Sequence, residues 1–590
     1  MDPCSATQAG GRRLSAPDRP ENGLPALDSY DRRGGPHRRT RRLTGGPAIP
    51  RLIVLATIVA LLAGACGATS PTAAPTPSPT AVPTPAPPFP SIVPLPSAAP
   101  SSAPSATASA SGSPAASVAV GPTATPGKVG TPLTWTSCGP PFECGTVTVP
   151  IDYTHPKNGT INLALIRLPA SNPSQRIGDL LTNPGGPGAS GVDFVRTGAT
   201  IVFSAGLRAR FDIVGFDPRG IGASDPVECL DGADMDRLNE IDGNPGTDPA
   251  RIQAIIDGDK AFDAGCVANS GALLPFMTTI DAAKDMDLIR QALGDSKLTY
   301  LGFSYGTFLG STYANLYPTR VRAFVLDGAI DPTLSFTDRT VQQAESFSAA
   351  LNAFLADCAS HATCNFYNGG HPQAAFTALM AQIEQAPLPA LATGDPRPVG
   401  PAEADTAVAA AMYDQSSWPV LAQGLALAQR GDGSILLLIA DSYNERHPDG
   451  TYTNLFPANA AVNCADYTVP LDLTTYEQLA PKVEALAPGF GASSVYGSLG
   501  CVFWPFHPAH DPVAPTAKGA PPILVVSTTG DPATPYEWGV KLAKELDSGV
   551  LLTRKGQGHT AYGGKSACID AAVDAYLISL TVPKAGTVCS

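Results

Sequence analysis

Leu298-Thr299-Tyr300-Leu301-Gly302-Phe303-Ser304-Tyr305-Gly306 is the stretch whose reading decides this chain. A short apolar run of strand character enters a serine bracketed by two glycines, and the small-residue stretch 307–316 that follows suits a helix. A serine thrown onto a sharp strand-to-helix turn holds a strained backbone, and bulky neighbours would collide there. The turn exposes the hydroxyl at the carboxyl end of a central strand. Ser304 is therefore the candidate nucleophile, and the chain reads as a serine hydrolase.

A hydroxyl is a poor nucleophile at neutral pH and needs a base within reach, held in one tautomer by an acid. Both follow in the chain order that goes with such a turn: a strand-like run, residues 521–531, ending in Gly530-Asp531, and then the loop Gly556-Gln557-Gly558-His559. His559 is the candidate base and Asp531 the candidate acid, with Asp327 and Asp331 competing because they follow the earlier strand-like run 321–326. Thr534-Pro535-Tyr536-Glu537 fits a helix capping box, and a hydrogen bond from Thr534 to Asp531 is the alternative. Asn183-Pro184-Gly185-Gly186-Pro187-Gly188 can bring unobstructed N–H groups to the nucleophile. The amides of Gly186 and Tyr305 are the expected oxyanion donors. That run lacks the Gly-Lys-Ser/Thr ending of a phosphate loop.

Working outward, residues 145–153 and 161–169 are strand-like, and runs beginning at Leu180, Phe211 and Leu298 alternate with helical stretches such as 281–293. Such alternation predicts an α/β fold with a mostly parallel sheet covered on both faces. Between 335 and 515 helix-like stretches (341–355, 373–384) occur without strand-helix units, and the sheet pattern resumes at Ile523. Residues 131–334 and 516–590 are thus expected to form one core, interrupted between its sixth and seventh strands by a helical cap at 335–515.

The ends differ from the body. Residues 1–65 carry ten arginines against five acidic residues, so this prefix is +5 and the rest of the chain −18 of a total of −13. An acidic body without a basic stripe argues against nucleic-acid binding. The apolar run 52–65 is short for a membrane span, for which about 20 residues are wanted, and suits an export signal. Its end, Leu62-Ala63-Gly64-Ala65-Cys66, resembles a bacterial lipobox, with Ala63 where Leu is usual; Cys66 is the expected lipidation site and the only expected link to a membrane. Residues 67–130 are almost all Ala, Pro, Ser, Thr, Val and Gly and are expected to be an extended tether. Setting aside Cys4 and Cys66, ten cysteines fall in close neighbours: 138 with 144, 229 with 266, 358 with 364, 464 with 501 and 568 with 589. With no Cys-x-x-Cys spacing, disulfides in an oxidising compartment are expected rather than a metal site, and no cofactor is expected.

The loop Asn183 to Gly188, the segment Gly215-Phe216-Asp217-Pro218-Arg219-Gly220-Ile221-Gly222-Ala223-Ser224, the Ser304 turn, Gly530-Asp531-Pro532-Ala533-Thr534-Pro535 and Gly558-His559 together resemble the secreted tripeptidyl aminopeptidases of the proline iminopeptidase superfamily. The likeness covers roughly residues 131–590. It implies the α/β-hydrolase fold, a Ser304, Asp531, His559 triad and release of short peptides from free amino termini. Pro184 stands where the cytoplasmic proline iminopeptidases have histidine, which argues against strict proline specificity. An exopeptidase must also hold the substrate's ammonium, and Asp466, beside Cys464 in the cap, is the expected carboxylate. The expected protein is an exported monomer acting on peptides, with a carboxylesterase or lipase using the same triad as the alternative.

Overall fold

The computed structural model describes residues 133–590, so the expected export signal, the expected lipidation site Cys66 and the expected tether lie outside the described residues. Ten strands form one sheet in the order β1-β2-β3-β5-β4-β6-β7-β8-β9-β10. They are β1 (Thr136–Ser137), β2 (Glu143–Pro150), β3 (Thr160–Leu168), β4 (Gly178–Asn183), β5 (Phe211–Phe216), β6 (Leu298–Phe303), β7 (Val321–Asp327), β8 (Ile523–Gly530), β9 (Gly549–Gln557) and β10 (Val588–Cys589). The pairings from β1 to β3, and of β3 with β5, are antiparallel; from β5 through β4 to β10 all are parallel.

β4, β5 and β6 are buried along their whole length, which is why they read as unbroken apolar runs rather than alternating ones. Their side chains nevertheless divide strictly between two layers. Leu181, Val214, Tyr300, Phe324 and Val525 pack with Met286 and Ile289 of the helix Thr279–Leu293. Leu180, Ile213, Leu301, Val325 and Leu524 pack on the other face with Val195, Val573 and Tyr576.

The cap enters between β7 and β8. The two-residue edge strand β1, which carries no apolar signal, moves the count by one from the expected sixth and seventh. The cap begins with the long helix Phe336–Ser360 and has its own core of Leu351, Phe354, Leu379, Val408, Trp418, Leu425 and Leu437. A second excursion, between β5 and β6, was not expected as part of it. Its helices Gly232–Asn239 and Pro249–Ser270 are stapled by Cys229–Cys266 and lean on the cap, with Ile255 and Ile256 packed among Tyr476, Val483, Tyr496 and Leu499. The Cys138–Cys144, Cys358–Cys364, Cys464–Cys501 and Cys568–Cys589 bridges complete the pairing of neighbours.

Candidate active site

The carboxyl ends of five adjacent strands, β4, β6, β7, β8 and β9, converge, and in an open α/β sheet ligands sit at that edge. Ser304 leaves β6 with φ 54° and ψ −124° and opens the helix Tyr305–Leu316. A Cβ at Gly302 would stand 2.4 Å from the Gly306 carbonyl oxygen, so the turn admits no side chain there. The Ser304 N–H donates to the Asp327 carbonyl at 2.9 Å, and Thr307 closes the turn with N–H and Oγ1 donated to the Ser304 carbonyl.

His559 Nδ1 lies 2.9 Å from both oxygens of Asp531. Asp531 also accepts from the N–H groups of Ala533, Thr534 and Thr560 and from Thr534 Oγ1 at 3.0 Å. This carboxylate is saturated with donors, and its direction is fixed. The His559 N–H donates to the carbonyl of Tyr413, a cap residue whose ring stands edge-on to the imidazole at 5.4 Å. His559 Nε2 is buried without a hydrogen-bond partner. With Nδ1 turned to the acid, Nε2 is the nitrogen left to receive a proton.

The competing acids are occupied elsewhere. Asp327, fully buried, accepts from the N–H groups of Ala561 and Tyr562 and so holds the loop just past His559; burial raises its pKa. Asp331 faces Thr333 and Lys541. The capping-box reading of Thr534 is corrected: Pro535 takes the N-cap position of the helix Tyr536–Glu545 and no side chain caps it. The Asp531 carboxylate, three residues upstream, takes both the Thr534 N–H and its hydroxyl.

Ser304 and Tyr305 line a cleft of about 410 Å³ with Gly186, Phe262, Tyr413, Phe456, Asn463, Cys464, Tyr467 and Trp538. A Cβ at Gly185 would stand 2.8 Å from Ser304 Cβ, so the Asn183–Gly188 loop lies directly against the serine. Tyr305, first in its helix, has an N–H with no intrahelical acceptor, at the positive end of the helix dipole.

Asp466 does not join this cleft. It is buried and accepts from Thr279 N–H at 2.9 Å and Thr279 Oγ1 at 2.5 Å, and Thr279 Oγ1 in turn meets the Tyr305 hydroxyl at 2.6 Å. Burial pushes its pKa up to about 7. The reason it stands apart is its hydrogen-bond partner. Asn459, Asn463, Cys464 and Tyr467 turn to the cleft from the helix Leu455–Asp466 and the residue after it, whereas the Asp466 carboxylate, at the helix end, is drawn away to the Thr279 N–H and hydroxyl. Two carboxylates that the sequence reading passed over do line the cleft: Asp259 and Asp263, one turn apart on the helix Pro249–Ser270. Their four-residue spacing around Phe262 was the available signal.

Family models match the chain over residues 180–369, as the alpha/beta hydrolase fold, and over 487–589, as TAP-like protein. Serine protease Hip1 of Mycobacterium tuberculosis is 40% identical over 452 residues, 74% of this chain and 85% of that protein. Carboxylesterase B of the same organism is 37% identical, covering 74% and 84%, and the tripeptidyl aminopeptidase of Streptomyces coelicolor 32%, covering 72% and 79%. On its fold, its strand-end constellation and these matches, the chain belongs to the TAP-like family of α/β-hydrolases and is a serine hydrolase of the peptidase class.

Proposed function

We propose that the protein is an extracytoplasmic aminopeptidase that releases units of two or three residues from free amino termini through an acyl-enzyme on Ser304. His559 Nε2 takes the Ser304 proton as Oγ attacks the scissile carbonyl, and Asp531 stabilises the imidazolium that forms. The N–H groups of Tyr305 and Gly186 receive the negative charge on the carbonyl oxygen. The imidazolium then gives its proton to the leaving amine. Water, deprotonated by the same nitrogen, releases the acyl group and restores Ser304. The observation that carries this reading is the division of labour at His559: Nδ1 bound to a saturated carboxylate, Nε2 buried and unclaimed.

Five disulfides among the described residues support an oxidising compartment. Lipid attachment at Cys66 of a monomer belongs to the same proposal. The carboxylesterase B relative favours the second reading, an esterase with the same triad. The test compares a free tripeptide anilide, its N-acetyl form and a short-chain ester on wild type and Ser304→Ala. We expect the free peptide to be cut best and Ser304→Ala to lower every rate by about 10⁴- to 10⁶-fold with an unchanged melting temperature. Near-normal turnover by folded Ser304→Ala would remove Ser304 from the mechanism. Equal cleavage of free and acetylated peptide would end the aminopeptidase reading in favour of an esterase or an endopeptidase.

A further inference from the structure

Among the described residues, buried carboxylates are met by donors, with one exception. Asp179 pairs with Arg176, Asp212 with Arg167, Asp285 with Arg219 and Asp287 with Arg290. Asp217 accepts from Ser190 and Val192, Asp327 from Ala561 and Tyr562, Glu403's carboxylate from Gly400, and Asp466 from Thr279. Asp263 is 4% exposed, and neither of its oxygens has a hydrogen-bond partner. Asp259, one turn earlier on the same helix face, has a buried, unpartnered Oδ2. Two like charges at this spacing repel, and an unmet buried carboxylate costs folding free energy. Both residues line the cleft that holds Ser304, with the rings of Phe262 and Phe456 packed edge to face at 6.0 Å in the same wall.

We infer that Asp259 and Asp263 form the receptor for the substrate's α-ammonium. The inference rests on the aminopeptidase reading and names its specificity site. A cation entering the cleft would supply the missing donors, and the apolar wall would strengthen the pairing by excluding water. Burial, and for Asp263 also the neighbouring Asp259, raises their pKa values to about 7 and about 8. An arriving ammonium therefore displaces a proton from the pair as it binds. Because Ser304 and the pair are fixed in one cavity, the stretch of peptide between ammonium and scissile carbonyl is fixed as well.

The test uses Asp263→Asn and, separately, Asp259→Asn in the full chain, with four substrates: a free tripeptide anilide, its N-acetyl form, an N-acetyl tripeptide anilide containing lysine, and a short-chain ester. Isosteric amides keep the shape, so the melting temperature should hold or rise. We expect kcat/KM for the free peptide to fall about 10- to 100-fold, mostly through KM, as for loss of a charged hydrogen bond. Ester and plain acetyl-peptide rates should stay as in wild type. If wild type prefers free peptide but neither variant changes that preference, the inference falls and the aminopeptidase reading stands. If wild type cuts plain acetylated peptide as well as free, the aminopeptidase reading falls and takes the inference with it. If only the lysine-bearing blocked peptide loses rate in the variants, the pair reads a side-chain cation and the α-ammonium assignment is overturned.

Discussion

Two acidic centres, one behind the catalytic histidine and one in the cleft wall, stand in opposite states. Asp531 is saturated: three backbone N–H groups, a threonine hydroxyl and an imidazole converge on its two oxygens. Asp263, as deeply buried, has none. A carboxylate surrounded by donors is organised before substrate arrives and works by staying still. One left without donors is high in free energy until a cation comes. The contrast separates chemistry, which demands preorganisation, from recognition, which gains from an unmet need.

The same substitution at both centres breaks or sharpens that contrast. Asp531→Asn should reduce kcat by about 10⁴-fold on peptide and ester alike, because an amide cannot hold the imidazole in the productive tautomer or stabilise its cation. Comparable activity in Asp531→Asn would mean that another acid, Asp327 first, takes its place. The next effect lies in stability. Asp466→Ala leaves the Thr279 N–H unpaired in the interior and its hydroxyl with the Tyr305 hydroxyl alone, and should cost about 1–3 kcal/mol, read by chemical denaturation, while the ratio of free to blocked peptide cleavage stays constant. A collapse of that ratio would return Asp466 to substrate binding.

The smallest expected effect is on the pH dependence of folding. Folded-state pKa values of about 7 and 8 lie above the usual carboxylate value of about 3.9, so the folded chain binds more protons than the unfolded one between those limits. The pair's contribution to stability is therefore lost as pH rises from about 4 to about 8. Asp263→Asn should show no advantage in melting temperature at pH 4 and a growing one toward pH 8. An offset independent of pH would mean that Asp263 is matched by a cation in solution and that the two centres are alike.

Most of the sheet and the strand-end positions of Ser304, Asp531 and His559 were legible because both are written locally. Leu180, Phe211, Leu298 and Ile523 begin buried runs cut off by Gly, Asn or Asp, and the chemistry attaches to those cut-off points. Asp466 failed because its partner, Thr279, stands 187 residues earlier in the chain, and proximity to Cys464 does not encode that contact. Asp259 and Asp263 stayed hidden for the opposite reason. Acids on a helix are ordinarily solvated, and only the packing of a distant cap over Pro249–Ser270 buries Asp263 and half-buries Asp259. Thr534 was ambiguous because a hydroxyl before Pro-x-Glu suits a helix cap and a bond to Asp531 equally well until the competing N–H groups are placed.

The carbonyl of Tyr413 links two parts of the molecule that the chain order keeps apart. His559 arrives from the sheet, yet its backbone is pinned by the cap. The same cap residue supplies the aromatic ring beside the imidazole, so the surroundings of the base are shared between sheet and cap. Competence of the base is thereby tied to the seat of the cap: a movement that carried Tyr413 away would free the backbone of the residue that orients the imidazole.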